Sequence, residues 1–386
     1  MKIAYCVLGT FNSGGMERVL ANKANYLVQR GYEVTIITTD QKGRKPYFAL
    51  NSRIQQIDLG LNYTDDLKFN VYTKIFRYLE KQKAHKRKLK EFLMDLKYDI
   101  VISLFDHDAT ILPKIKDGSK KILEIHFSRF KRLQYQRKGL LGFSDKIRSQ
   151  RDLKLARKYD KFVVLTEEDK SYWVNVPNIL VIANANSFVP ERQASLTNKQ
   201  VMAVGRHDAQ KNFSDLIKAW KIVAKQAPDW TLKIYGHGPQ QQLLINQITE
   251  LELKDSLVLH PPVSDIETAY LNSSILAMTS RYEGLPMALL EAQACGLPMV
   301  SYACKCGPSD IIQDGINGFL LTENDIDGMA KKLLLLIRDF ELRVTLGSNA
   351  FRLSQNFSED KVMSKWINLF NDVLTSKTDN QVLLAN

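Results

Sequence analysis

The chain has 386 residues, more than one ordinary hydrophobic core can hold, and its length predicts two or three domains. Hydrophobic residues make up 45% and mean hydropathy is −0.23, which describes a soluble globular protein and excludes disordered or collagen-like chains. The net charge of +12 is local: residues 74–90 carry eight Lys/Arg against one Glu and residues 128–161 carry twelve against three acids, which leaves about −4 for everything else.

No apolar run reaches the roughly 18 residues that a membrane span requires. The opening MKIAYCVLGTFNSGG lacks the long core and cleavage site of a secretory signal and reads as a first strand. Short β-rich runs then recur at 2–8, 33–39, 99–104, 120–126 and 161–166, with helical patterns between them. A second series follows at 200–205, 231–236, 256–260, 275–280 and 298–303. The expected fold class is α/β, as two doubly wound parallel units facing a cleft. The expected divisions are residues 1–183, a polar linker at 184–199, a second unit at 200–357, and a C-terminal helix and tail at 358–386. That helix repeats Val362, Trp366, Leu369, Phe370 and Val373 at helical spacing. Cys6, Cys295, Cys304 and Cys306 form no zinc pattern and read as reduced cytoplasmic thiols.

In open parallel sheets, ligands bind beyond the carboxyl ends of the strands, so chemistry is sought in the loops there. After the first strand, Gly14 and Gly15 open a helix whose N-terminal N–H groups suit an anion, although an ordinary tight turn reads equally well. The spacing is not that of a dinucleotide fingerprint. After the strand at 200–205 come Arg206 and Lys211, two cations that suit a diphosphate or, more blandly, solvent. Gly236 and Gly238 punctuate the next strand-to-helix junction, as in any simple turn. In RYEGLPMALLEAQACGLP, residues 281–298, Pro286 and Gly296 bracket a helix over about 286–295. Glu283 then stands in the loop ahead of that helix and Glu291 within it. Carboxylates so placed accept hydrogen bonds from sugar hydroxyls and from a ribose diol. The plainer readings are a helix-dipole partner for Glu283 and a surface salt bridge for Glu291.

Glu283, seven residues, Glu291, then ACGLPMVSY and GPSDIIQDGINGFLL together resemble the retaining family-four glycosyltransferases of the GT-B fold. GGMERVLANKANYLVQRGYEVTIIT is similar to the glycine loop and first helix of that family, and the GR-x₄-KN and YGHGP motifs fall in order between them. The resemblance implies that Arg206 and Lys211 grip the donor diphosphate, that Glu283 contacts donor-sugar hydroxyls and that Glu291 holds the nucleotide ribose. It implies too that His126 lies near the C6 side of the sugar, where a lone strand-end histidine is otherwise structural. Gly14 and Gly15 would pack against phosphates and sugar, and Gly307, Pro308 and Ser309 would touch the distal phosphate. No cofactor or metal is expected beyond a nucleotide diphosphate sugar, because the cationic pair stands in for a metal clamp; the commonest usage of the family implies a UDP-sugar, with guanosine as the alternative base. Cys304 and Cys306 have no assigned role.

The basic segments and the KGLLGF patch at 138–143 point to peripheral docking on the anionic inner face of a membrane, with a lipid-diphosphate-linked glycan as acceptor. Arg129, Lys131 and Arg132 are candidates for the acceptor diphosphate; a solvated basic face is the alternative. No helix-turn-helix, zinc or RNA-binding motif accompanies the charge, so nucleic acid is not an expected partner. Three other functions compete. They are a nicotinamide oxidoreductase, a sugar-nucleotide epimerase of the same architecture, and a non-catalytic sugar-nucleotide-binding protein.

Overall fold

The computed structural model describes residues 1–131 and 139–375. The chain divides into two compact units. Unit 1 comprises Met1–Leu165, Lys170–Ile182 and the residues from Val362 onward, and unit 2 comprises Thr166–Asp169 and Ala183–Lys361.

Unit 1 holds a seven-stranded sheet in the order β3-β2-β1-β4-β5-β6-β7, with every pairing parallel. Its strands are β1 (Lys2–Val7), β2 (Glu33–Thr38), β3 (Gln55–Asp58), β4 (Ile100–Ser103), β5 (Lys120–Glu124), β6 (Lys161–Val164) and β7 (Ile179–Val181). The central strands are buried along almost their whole length, as strands covered by helices on both faces must be. The strand order reverses between β1 and β4, and the glycine loop with its helix Gly15–Gln29 leaves the carboxyl end of β1 there.

Unit 2 repeats the plan with six parallel strands in the order β10-β9-β8-β11-β12-β13. These are β8 (Gln200–Val204), β9 (Thr231–Tyr235), β10 (Leu257–His260), β11 (Ile275–Met278), β12 (Met299–Tyr302) and β13 (Gly318–Leu321). The switch falls between β8 and β11, so the loops at 205–212 and 279–286 flank it. Buried Trp220 and Leu216 from the helix Phe213–Gln226 pack with Leu333 and Leu336 from Ile326–Arg338 against the sheet.

The helix Glu359–Thr375 buries Val362, Trp366, Leu369, Phe370 and Val373, the stripe its sequence spacing foretells, and from Val362 it is part of unit 1. β3, β7 and β13, unanticipated in the sequence, all run along sheet edges. All four cysteines are buried, and among the described residues none forms a disulfide.

Gly347 lies inside the helix Phe340–Ser354, where an added Cβ would sit 2.4 Å from the Gly296 carbonyl oxygen and 2.8 Å from Leu196 Cδ1. Overpacking of about 1–3 kcal/mol there outweighs the roughly 1 kcal/mol that Ala gains over Gly in a helix. Gly347→Ala is expected to lower the urea midpoint of the full chain. An unchanged midpoint would mean that this helix and the turn at Gly296 separate readily.

Candidate active site

In unit 2 the space over Gly205 that a side chain would occupy is filled by the stem of Lys211, whose Cδ lies 2.9 Å from where a Cβ on that glycine would sit. Lys211 therefore runs along the carboxyl end of β8. Its Nζ meets Glu283 Oε1 at 2.6 Å, joining the loop after β8 to the loop after β11 across the switch point. Gln210 strengthens the joint, donating to the Tyr282 carbonyl at 2.9 Å and to Glu283 Oε2 at 3.5 Å. Thr279 Oγ1 donates to the Lys211 carbonyl at 3.1 Å. Arg206 stands out in solvent, its Nε 3.6 Å from Asp208 Oδ2. The loop thus presents one anchored cation and one extended cation.

The glycines hold these loops at close range. A Cβ on Gly236 would fall 1.9 Å from the Gly205 carbonyl oxygen, and one on Gly238 2.5 Å from the His207 carbonyl oxygen. The two turns also exchange hydrogen bonds from His207 N to the His237 carbonyl and from Gln240 N to the His207 carbonyl, both at 2.9 Å. Gly307, at φ +101°, presses its α-carbon against Pro286, whose Cδ lies 2.4 Å from the position of a Cβ. That contact sets the turn Gly307–Pro308–Ser309 beside the Glu283 loop, as does the bridge between Tyr282 and Lys305. Pro308 is buried and Ser309 is exposed.

The helix over the second glutamate spans Met287–Ala294, with Pro286 at its N-cap position and Gly296 at φ +74° beyond its end. Glu291 is buried on that helix. Its Oε1 accepts from Ser187 Oγ at 2.6 Å and its Oε2 from the Tyr270 hydroxyl at 2.9 Å. Both oxygens thus already receive hydroxyl donors, the chemistry a ribose diol would bring. Ser187 comes from the segment read as linker, so that segment supplies a site contact. Gln210, Ser187 and Tyr270 carry no sequence signal of their own; only the fold brings them to the glutamates.

In unit 1 the residues around the first loop converge on His126. Gly14 caps the helix Gly15–Gln29 in an extended conformation, and a Cβ on it would meet Glu17 Oε2 at 2.3 Å. Glu17 Oε1 accepts from Asn12 Nδ2 at 3.2 Å. Burial raises the Glu17 carboxyl above its ordinary range, against the opposing pull of its hydrogen bonds and of His126. His126 Nε2 lies 3.1 Å from Glu124 Oε1, and the same oxygen accepts from Lys23 Nζ at 2.5 Å. Burial pushes the Glu124 carboxyl up, but Lys23 and His126 outweigh it and hold it at about 2. A detectable sequence signal existed here: an acid within a buried parallel strand, and a lysine on the apolar face of a helix, are anomalies that pairing resolves.

The acceptor candidates divide. Arg129, read as a surface cation, is instead only 8% exposed, because its guanidinium lies 4.9 Å from the Trp173 ring centroid and bonds to Ser149 Oγ. Lys131 is half-buried, with Nζ 4.5 Å from the Phe127 ring centroid. Arg132, Lys138 and the side chains of Leu140 and Leu141 lie outside the described residues, whereas Phe143 is exposed.

Two doubly wound units, one with a cation and an acid meeting at its switch point, define a two-unit α/β architecture of the Rossmann-like kind. The chain belongs to the glycosyltransferases of the GT-B fold: residues 13–185 match Glycosyltransferase Family 4 and residues 187–353 match Glycosyl transferases group 1. It is 32% identical to an uncharacterised glycosyltransferase of Haemophilus influenzae, covering 95% of this chain and 98% of that one. It is 28% identical to the amylovoran biosynthesis glycosyltransferase AmsD of Erwinia amylovora, over 96% and 99% of the two chains. Identity is 26%, over 97% and 99%, to a Campylobacter jejuni α-1,4-N-acetyl-D-galactosaminyltransferase whose name gives its substrate as a diNAcBac-PP-undecaprenol-linked GalNAc disaccharide. Among solved structures, sucrose-phosphate synthase from Thermosynechococcus elongatus superposes with a TM-score of 0.81 at 17% identity, over 97% and 99%. Anabaena HepE with UDP and glucose gives 0.74 at 17%, over 96% and 100%. These likenesses place the chain as an enzyme of glycosyl transfer.

The Glu124 carboxyl has a testable thermodynamic consequence. Its folded value of about 2 lies below the ordinary 4.5, so its contribution to stability is complete above pH 4.5 and is lost as pH falls towards 2. Glu124→Gln is expected to melt below the parent at pH 7, with the gap narrowing at pH 3.5. A gap of constant size would show that the charge plays no part.

Proposed function

We propose that the protein transfers a hexose or N-acetylhexosamine from a nucleotide diphosphate sugar to a lipid-diphosphate-linked glycan, with retention at the anomeric carbon and without a divalent ion. The observation that carries the reading is the Lys211–Glu283 pair at the switch point of unit 2, with Arg206 on the same loop. The setting is synthesis of a surface polysaccharide or glycoconjugate. The names of the Erwinia and Campylobacter relatives support this, and UDP in the HepE structure supports a UDP-sugar donor.

As the bond from the anomeric carbon to the diphosphate breaks, its electron pair goes to the leaving oxygen. Arg206, Lys211 and backbone N–H groups at the turn Gly307–Ser309 receive that charge, so the cations do the work of a metal clamp. Glu283 accepts hydrogen bonds from sugar hydroxyls and keeps Lys211 at the strand end. Glu291 holds the ribose. The acceptor oxygen attacks from the face the leaving group vacates, and its proton passes to the departing phosphate. No second carboxylate stands at a nucleophile's position in this scheme, which separates it from a two-carboxylate retaining glycosidase.

Docking on an anionic, cytoplasmic-facing membrane surface is supported by the helix Val71–Leu96. Its first turns expose Val71, Tyr72 (87% exposed), Ile75, Phe76 (63%) and Leu79. The i, i+4 row Val71, Ile75 and Leu79 continues into exposed Lys83 and Arg87, with Lys86 and Lys90 alongside. An apolar stripe that runs into a basic one matches a lipid interface, where each cation contributes about 1 kcal/mol. No helix among the described residues is long and apolar enough to cross a membrane.

Two experiments test the proposal. Arg206→Ala and Lys211→Ala should each lower turnover with UDP-sugars and an undecaprenyl-diphosphate glycan by about 100- to 1000-fold. Activity should survive EDTA, and turnover that needs a divalent ion contradicts the metal-free scheme. In vesicle sedimentation the protein should bind phosphatidylglycerol but not phosphatidylcholine membranes. The double variant Tyr72→Glu/Phe76→Glu should lose that binding with its melting temperature intact. Equal binding by parent and variant would remove the helix from the membrane contact.

A further inference from the structure

His126 is 9% exposed at its side chain, and its Nδ1 is a buried atom with no hydrogen-bond partner among the described residues. An orphaned buried nitrogen in a strand-end loop calls for a partner from outside the chain. Its other nitrogen is fully accounted for: Nε2 faces Glu124 Oε1 at 3.1 Å, and that oxygen is held by Lys23 Nζ at 2.5 Å. Lys23 and Glu124 are themselves buried, Lys23 within the helix Gly15–Gln29 and Glu124 at the end of β5. Over Lys23 lies the ring of Trp366 from the C-terminal helix, its centroid 3.7 Å from Nζ. The ion pair is thus enclosed by three separate elements of unit 1. A buried pair of this kind contributes little net stability compared with apolar residues of the same volume, so its retention needs another reason.

We propose that the Lys23–Glu124 pair is a positioning device, holding His126 with Nε2–H on Glu124 and turning Nδ1, as a bare lone pair, to a hydroxyl of the bound sugar. A carboxylate only accepts, so it selects the tautomer protonated at Nε2. Lys23 neutralises the carboxylate's charge and fixes its oxygen, and the C-terminal helix closes the pair from water. The Glu17 carboxyl, which accepts from Asn12, lies within electrostatic reach of the ring. The role of Nδ1 rests on the glycosyltransferase reading, whereas the tautomer does not.

The test uses Glu124→Gln and the double variant Lys23→Met/Glu124→Gln. A glutamine amide both donates and accepts, so it no longer selects a tautomer. The double variant removes the stranded lysine charge and is expected to fold with a melting temperature close to the parent's. With ¹⁵N-labelled full chain and no ligand, the parent should show His126, assigned with His126→Asn, as a single tautomer protonated at Nε2. Both variants should show mixed tautomers. With whichever of UDP-glucose and UDP-N-acetylglucosamine the parent consumes, both should lose about tenfold in kcat/KM, the worth of one hydrogen bond. Binding of UDP alone, which carries no sugar, should be unchanged. A parent ring protonated at Nδ1, or a double variant with full kcat/KM, overturns the proposal. A parent that consumes no nucleotide sugar overturns the transferase reading instead, while the tautomer measurement still decides what Glu124 does.

Discussion

One ion pair organises the switch point of unit 2. Lys211 and Glu283 come from loops after two different strands, β8 and β11, and these strands neighbour each other at the point where the sheet reverses its order. A lysine stem lying along the backbone at Gly205 leaves its ammonium one direction to point. A largely buried carboxylate in that direction keeps it in place. The cation is therefore set before any ligand arrives, which is what electrostatic catalysis by preorganised charge demands. The close backbone approaches at Gly236, Gly238 and Gly307 serve the same end, because each draws a neighbouring strand-end loop against the pair.

Unit 1 uses a related device for a different purpose. There the buried pair is Lys23 and Glu124, and its shared oxygen also faces a histidine. In unit 2 the glutamate meets a cation at the strand end; in unit 1 the lysine meets a carboxylate that also faces His126. The helix Glu359–Thr375 has a reason to end in unit 1, since its Trp366 covers Lys23 while its apolar stripe completes that unit's core.

Much of this was legible in the sequence. Central strands such as YCV in β1 and LAM in β11 are continuous apolar runs because both faces are covered, and such runs stand out. The strands that escaped notice lie at edges: QQID in β3 is nearly all exposed, ILV in β7 has three residues, and GFLL in β13 is short. A polar strand such as β3, or one of three or four residues such as β7 and β13, leaves little pattern. In the site, the glutamates, cations and glycines were visible from their spacing. Ser187, Tyr270 and Gln210 were not, because an ordinary polar residue gains its meaning only from what the fold places opposite it. Arg129 shows the converse, a charge within a basic run that packs inward on Trp173.

The most direct measurement is calorimetric titration of UDP and of UDP-glucose, UDP-N-acetylglucosamine or UDP-N-acetylgalactosamine, whichever binds, into the parent, Lys211→Met and Glu283→Gln. If Lys211 receives the diphosphate while Glu283 both holds Lys211 and meets the sugar, Lys211→Met weakens both ligands, whereas Glu283→Gln weakens UDP and weakens the sugar nucleotide further. UDP binding undiminished in Lys211→Met would contradict the account at its centre.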